Sequence, residues 1–186
     1  MCIRDRRSLK IVEEIGDSQM EVACLSNLGN IHRRKGNYSL AEMYLEKAYA
    51  LAKANNSDPL IIYVLLKIIE YNLAKDDLNK AQKRLKEVSS FIDKLRSSEY
   101  KAHLLSLLGI FYTKKKKWEK AKSSFKNSVS ILKEMKNEFE LAQVYYYQGL
   151  MFKEMGDKTN ARKTLKKAKK IFEKFGASKW IAKIGF

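Results

Sequence analysis

The strongest constraint on this chain is that it repeats itself every forty residues. Stepping forward from Ala41 by that interval lands on Ala81, Ala121 and Ala161. Four residues after each alanine stands a large apolar residue: Leu45, Leu85, Phe125 and Leu165. Seven residues after each stands a small or β-branched one: Ala48, Val88, Ser128 and Ala168. Twelve residues before each lie Gly29, Ile69, Gly109 and Gly149. Self-similarity at a fixed period without insertions marks a repeat architecture in which each unit buries its apolar face on its neighbours.

Each unit reads as helix, turn, helix. The first helices carry "LSNLGNIH", "LLKIIEYN", "LSLLGIFY" and "YYYQGLMF"; the second helices carry the alanine pattern. Between them come "RKGNY", "KDDL", "KKKKW" and "MGDK", short segments that, "KKKKW" excepted, carry the glycine, asparagine or aspartate that turns favour. In "NNSDPL" the spacing predicts Asp58 as helix N-cap with Pro59 at the first helical position. Asn56 and Gly176, in phase with each other, suit a left-handed helix C-terminus. Two helices joined by so short a turn cross closely, and side-chain size sets their separation at roughly 8–10 Å. Gly29 and Ala41 are expected to face each other at that crossing, with Ala48 admitting the next unit.

Composition agrees with a mostly helical chain, having one proline and eight glycines in 186 residues. The 45% hydrophobic content supports a core, and 32% charged residues with no long apolar run exclude a membrane span. Two cysteines support no disulfide framework and fit a reducing, cytoplasmic setting.

The A-x-x-x-[LF]-x-x-small pattern, with Leu-Gly upstream, resembles the tetratricopeptide repeat. The third unit matches best, through Leu108, Gly109, Tyr112, Ala121 and Phe125. The first has Leu28, Gly29, Ala41 and Ala48 but His32 at the tyrosine position, where it is expected to fill the hairpin core. The second has Ile69 for glycine, which predicts a more open hairpin. HEAT-like repeats share the period but lack this signature. The resemblance implies an all-α, right-handed superhelical solenoid of antiparallel helix pairs. Its units are 18–57, 58–97, 98–137 and 138–177. Residues 7–17 would be the second helix of a truncated repeat, and 178–186 the start of a capping helix or further repeat. "MCIRDR", residues 1–6, reads as the translation of a sequencing-library adapter, or else as a short native N-terminus. Forty-residue units resemble the arrays of bacterial sensor kinases, cyclases and transcription regulators, which implies a fragment of a larger regulatory protein.

Little in the sequence suggests catalysis. His32 and His103 fall in different units without ligands at metal spacing. No phosphate-binding loop follows a strand, no nucleophile has a local base, and Cys24 reads as a packed thiol. The expected role is non-enzymatic and without cofactor or metal: binding a peptide or protein segment on the concave face. By the resemblance, that groove is lined in the first unit by Ala23, Ser26, Asn30, Arg33 and Arg34. Tyr63, Leu66, Glu70 and Leu73 follow in the second, and His103, Ser106, Ile110, Thr113 and Lys114 in the third. The fourth supplies Gln143, Tyr146, Leu150, Lys153 and Glu154. In "VYYYQ", three tyrosines spread around about 200° of helix, so at least one is core; Tyr146 is expected in the groove. Trp118 is expected to pack on its own hairpin.

The net charge of +17 lies mainly on the second helices. Residues 78–97, 118–136 and 158–175 carry +4, +3 and +7, whereas 38–55 is neutral. The basic surface is thus expected on the convex side, strengthening toward the C-terminus. It offers an alternative reading, a binder of nucleic acid or another anionic surface. The lysines lack interleaved aromatics for stacking on bases, which favours a solvated face.

Overall fold

The computed structural model describes residues 14–95 and 97–185, and among them every regular element is a helix. They run α1 (Ser18–Arg34), α2 (Tyr38–Ala54), α3 (Asp58–Ala74), α4 (Leu78–Leu95), α5 (Ser98–Lys114), α6 (Trp118–Glu134), α7 (Glu138–Glu154), α8 (Lys158–Lys174) and α9 (Ser178–Ile184). Residues 1–6 and most of 7–17 lie outside the described part, as do Ile11 and Val12. Glu14 and Ile15 are helical.

The helices begin every twentieth residue, and the reason lies in the turns. Gly16, Gly36, Asn56, Asp76, Lys116, Lys136, Gly156 and Gly176 all have positive φ. At the end of α1, the Gly36 N–H donates to the Arg33 carbonyl at 3.0 Å and the Asn37 N–H to that of His32 at 2.9 Å. This crossed pair closes the helix on a left-handed residue. The next helix, α2, starts two residues later without a side-chain cap bond, whereas five other helices have one. Asp17, Asp77, Ser97, Asn137 and Asp157 each accept from the backbone N–H three residues on. At α3 the expected cap shifts by one residue. Ser57 is the N-cap and Asp58 the first helical residue, leaving Pro59 still inside the first turn.

The chain divides into two compact units, residues 1–96 and 97–186. In the first, α1 pairs with α2 and α3 with α4, and α3 packs on both α1 and α2. In the second, α5 pairs with α6 and α7 with α8; α7 packs on α5 and α6, and α9 on α8. The repeat-defining residues are core. Ala41, Ala81 and Ala121 are fully buried, as are Ala48, Val88, Ser128 and Ala168.

The crossing differs from expectation in one respect. A Cβ on Gly29 would lie 2.7 Å from Leu45 Cγ and 3.2 Å from the Ala41 carbonyl oxygen. Glycine therefore faces the large residue four positions past the alanine, and the alanine contributes by letting its backbone approach. The same arrangement places Gly109 against Phe125 and Gly149 against Leu165. Ile69 takes the glycine's place opposite Leu85, and the α3 and α4 backbones are less closely packed than those of the other hairpins.

Candidate functional site

On the first helices of residues 1–96, the groove candidates form a connected polar surface. Arg33 on α1 donates from Nη2 to Asn30 Oδ1 at 2.7 Å and to Glu70 Oε2 on α3 at 3.3 Å. Lys67 Nζ reaches Glu70 Oε1 at 3.3 Å and lies 5.7 Å from the centre of the Tyr63 ring. The Tyr63 hydroxyl donates to Asn27 Oδ1 at 3.4 Å. Arg33, Lys67 and Glu70 side chains are each about one-fifth exposed, so they are held in place yet open to a ligand. Arg34 is exposed beside them. Asn27 and Lys67 were missed by sequence reasoning, although Lys67 stands four residues after Tyr63 and three before Glu70, where a helix brings all three together.

Other candidates are not available. Leu66 is 1% exposed and belongs to the core, as do Leu73, Ser26 and Thr113. Ser106 is likewise buried. The cause is that α3 is apolar on nearly all sides, so Leu66 packs inward where a single stripe would have left it on the rim. His32 is core as expected, buried and stacked on Tyr44 at 5.5 Å.

In residues 97–186 the first helices present a more apolar surface. His103, Ile110, Gln143, Tyr146 and Leu150 are half-buried, while Lys114, Lys153 and Glu154 are exposed. Tyr145 is the core member of the tyrosine run. Tyr146 packs edge-on against Tyr147 and Trp180, and burial pushes its hydroxyl pKa up. Trp180 and Ile181, on the short α9, are half-buried, and Trp180 stacks on Phe172 with centroids 5.1 Å apart. Ile15, at the other end, is exposed. Trp118 packs against the core of its own unit.

The second helices of residues 1–96 are cross-linked by charge. Glu42 on α2 pairs with Lys80 on α4 at 3.1 Å and accepts from the Tyr71 hydroxyl at 3.0 Å. These bonds hold its carboxyl below the ordinary value. Glu46 meets Arg84 at 3.5 Å, and Arg84 also meets Glu87 at 2.9 Å. Between them lies a cavity of about 180 Å³ lined by Glu42, Glu46, Tyr71, Lys80 and Arg84 among others. Burial, then hydrogen bonding to Glu87, pushes Tyr49 up to about 12. Burial and Glu42 do the same to Tyr71, again to about 12.

Among the described residues no group of three His, Cys, Asp or Glu side chains is placed to hold a metal, and no helix is long and apolar enough to cross a membrane. Antiparallel helix pairs in register, with their ligand-accessible side chains on the pair surfaces, define a helical-hairpin repeat protein. Models described as tetratricopeptide repeat match residues 4–54 and 143–175, and these two matches support a tetratricopeptide repeat protein. No curated protein matched the chain. The crystal structure of BtubC (BKLC) from P. vanneervenii has a similar fold, with a TM-score of 0.73 at 15% identity over 92% of this chain and 72% of that one. Such repeats indicate a protein-interaction or scaffold module, and the family is in general non-catalytic.

Proposed function

We propose that the chain takes up a peptide or protein segment on its first helices, as the non-enzymatic scaffold or sensory part of a larger cytoplasmic regulatory protein. The observation that supports this most is the Asn30–Arg33–Glu70–Lys67–Tyr63 surface. Its polar groups are pre-positioned by one another, so a ligand finds them ordered and loses less entropy on binding. Within residues 97–186, taken by themselves, Tyr146, Ile110 and Leu150 present an apolar surface of the kind that anchors side chains.

The test is to select peptides from a random display library with the intact chain and measure their affinities by anisotropy. Peptides held by residues 1–96 should weaken about tenfold or more, near 1.4 kcal/mol, on Asn30→Ala, Arg33→Ala or Tyr63→Ala, and peptides held by residues 97–186 on Tyr146→Ala. For selected peptides without an acid-rich run, charge reversal at Lys163, Lys166 and Lys170 should leave those affinities unchanged. Peptides of that kind indifferent to all four alanine variants would refute the reading. So would salt-resistant nucleic-acid binding that persists in them.

A further inference from the structure

The forty-residue period allows position-by-position comparison of the outer helices of the two compact units, each taken by itself. In residues 1–96 the acids Glu42 and Glu46 on α2 neutralise Lys80 and Arg84 on α4. Eighty residues further on, the acid positions are occupied by Lys122 and Lys126 on α6, and the paired bases by Asn160 and Thr164 on α8. Lys83 and Lys86 keep their character, as Lys163 and Lys166. Where one unit has a self-neutralised ladder, the other has Lys126 with no opposing acid and Lys122 with only Glu119 and Asp157 near it.

The surroundings do not compensate. Lys126, Arg162, Lys163, Lys166 and Lys170 form no ion pair with any described carboxylate. Glu119 pairs with Lys122 at 2.8 Å but is 86% exposed, so it contributes little. The Asp157 carboxylate is engaged mainly by the backbone and side chain of Asn160 at 3.0 and 2.7 Å, with Lys122 the least of the influences on it. Glu173, at the far end of α8, is the one acid on that helix. Arg162, Lys166 and Lys170 follow at four-residue steps, a ladder with about 6 Å between rungs.

We propose that the outer face of α6 and α8 binds an acid-rich segment of a protein partner, whose carboxylates stand where Glu42 and Glu46 stand in the other unit. Carboxylates at four-residue steps on a helix match the rungs, and the α2–α4 ladder shows the same pairing within this chain. A second copy is excluded, because it would present like charge to like charge. Seven of the eight cations of α8 are lysine, whereas phosphate recognition favours the arginine fork. The aromatic residues of the two helices are turned inward, Phe125 and Phe172 fully so, leaving none to stack on bases. Every exposed residue of α6 and α8 is polar, so nothing on this face inserts into a bilayer.

The experiment uses the intact chain at about 150 mM salt. The probe is a labelled helical peptide of about 16 residues with glutamate at every fourth position. A glutamine counterpart, random-sequence duplex DNA and phosphatidylserine vesicles are run beside it. The glutamate peptide should bind and its glutamine counterpart should not. Lys122→Gln with Lys126→Gln, and Arg162→Gln with Lys166→Gln, should each weaken binding about tenfold, with thermal melting unchanged. Lys83→Gln in the other unit, and Tyr63→Ala on the first helices, should have no effect, which separates this face from the peptide surface proposed above. No binding of the glutamate peptide, tighter binding of DNA or vesicles, or an affinity unmoved by the four substitutions overturns the proposal.

Discussion

Gly109 on α5 and Phe125 on α6 touch so closely that a Cβ on Gly109 would lie 2.6 Å from the phenyl ring. Phe125 is fully buried and has nowhere to retreat. Gly109→Ala should therefore cost about 1–3 kcal/mol, read from urea melts. On a Phe125→Ala background the same change should cost less, by about 1 kcal/mol in a double-mutant cycle. Additive losses would mean the ring is not what the glycine accommodates.

Lys116 and Lys136 hold the left-handed conformation that glycine holds at the equivalent ends of α1, α7 and α8, with φ of 54° and 55°. A side chain there costs roughly 1–2 kcal/mol, part of which glycine gives back through the entropy of the unfolded chain. Lys116→Gly and Lys136→Gly should each stabilise by about 0.5–1 kcal/mol. Thermal melting of the single and double variants checks this.

Stability should fall at both ends of the pH scale, for separable reasons. Hydrogen bonds from Lys80 and Tyr71 depress Glu42. Burial opposes any lowering of Glu87, but bonds from Tyr49 and Arg84 prevail and depress it too. Stability from these carboxylates is fully present above the ordinary glutamate value of 4.5 and is lost as the pH falls through their lower folded values. Tyr49 and Tyr71 are raised from 10 to about 12, so the stability they contribute is complete below pH 10 and disappears as the pH rises through that interval. Denaturant melts across pH should show both limbs. Tyr49→Phe with Tyr71→Phe should flatten the alkaline one.

Trp180 joins α9 to α8 by stacking on Phe172 and meeting Tyr146 and Tyr147 edge-on. Trp180→Ala should cost about 1–3 kcal/mol, less than a fully buried tryptophan because the ring is half-buried. Faster amide exchange in 178–184 with little change in α5 and α6 is the accompanying signature. Unaltered exchange in α9 would mean the stack does not hold it.

The hairpins were legible because their signal is local and repeated: alanine, large residue and small residue recur at fixed offsets, and each one packs inside its own unit. The polar surface was only partly legible. Asn30, Arg33, Tyr63 and Glu70 do come together, but Arg33 and Glu70 are thirty-seven residues apart, and nothing near either one announces the other. Leu66 was misplaced because periodicity cannot orient a helix as uniformly apolar as α3. The Trp180 stack was not legible, since its partner Phe172 belongs to the preceding helix and faces it only after the turn at Gly176.

The described ends of α1 to α3 and of α5 to α8 share the same left-handed backbone state, and the next helix begins two residues later, so any two such points forty residues apart are interchangeable as junctions. Cutting at both removes one whole hairpin and rejoins ends of matching geometry, whereas a twenty-residue cut matches the backbone but sets a first helix where a second belongs, and other lengths bring together conformations that do not fit. Length in a chain of this kind changes in whole steps: a duplication or deletion in the gene is tolerated by the backbone when it spans a full period, and a shorter one falls inside a core.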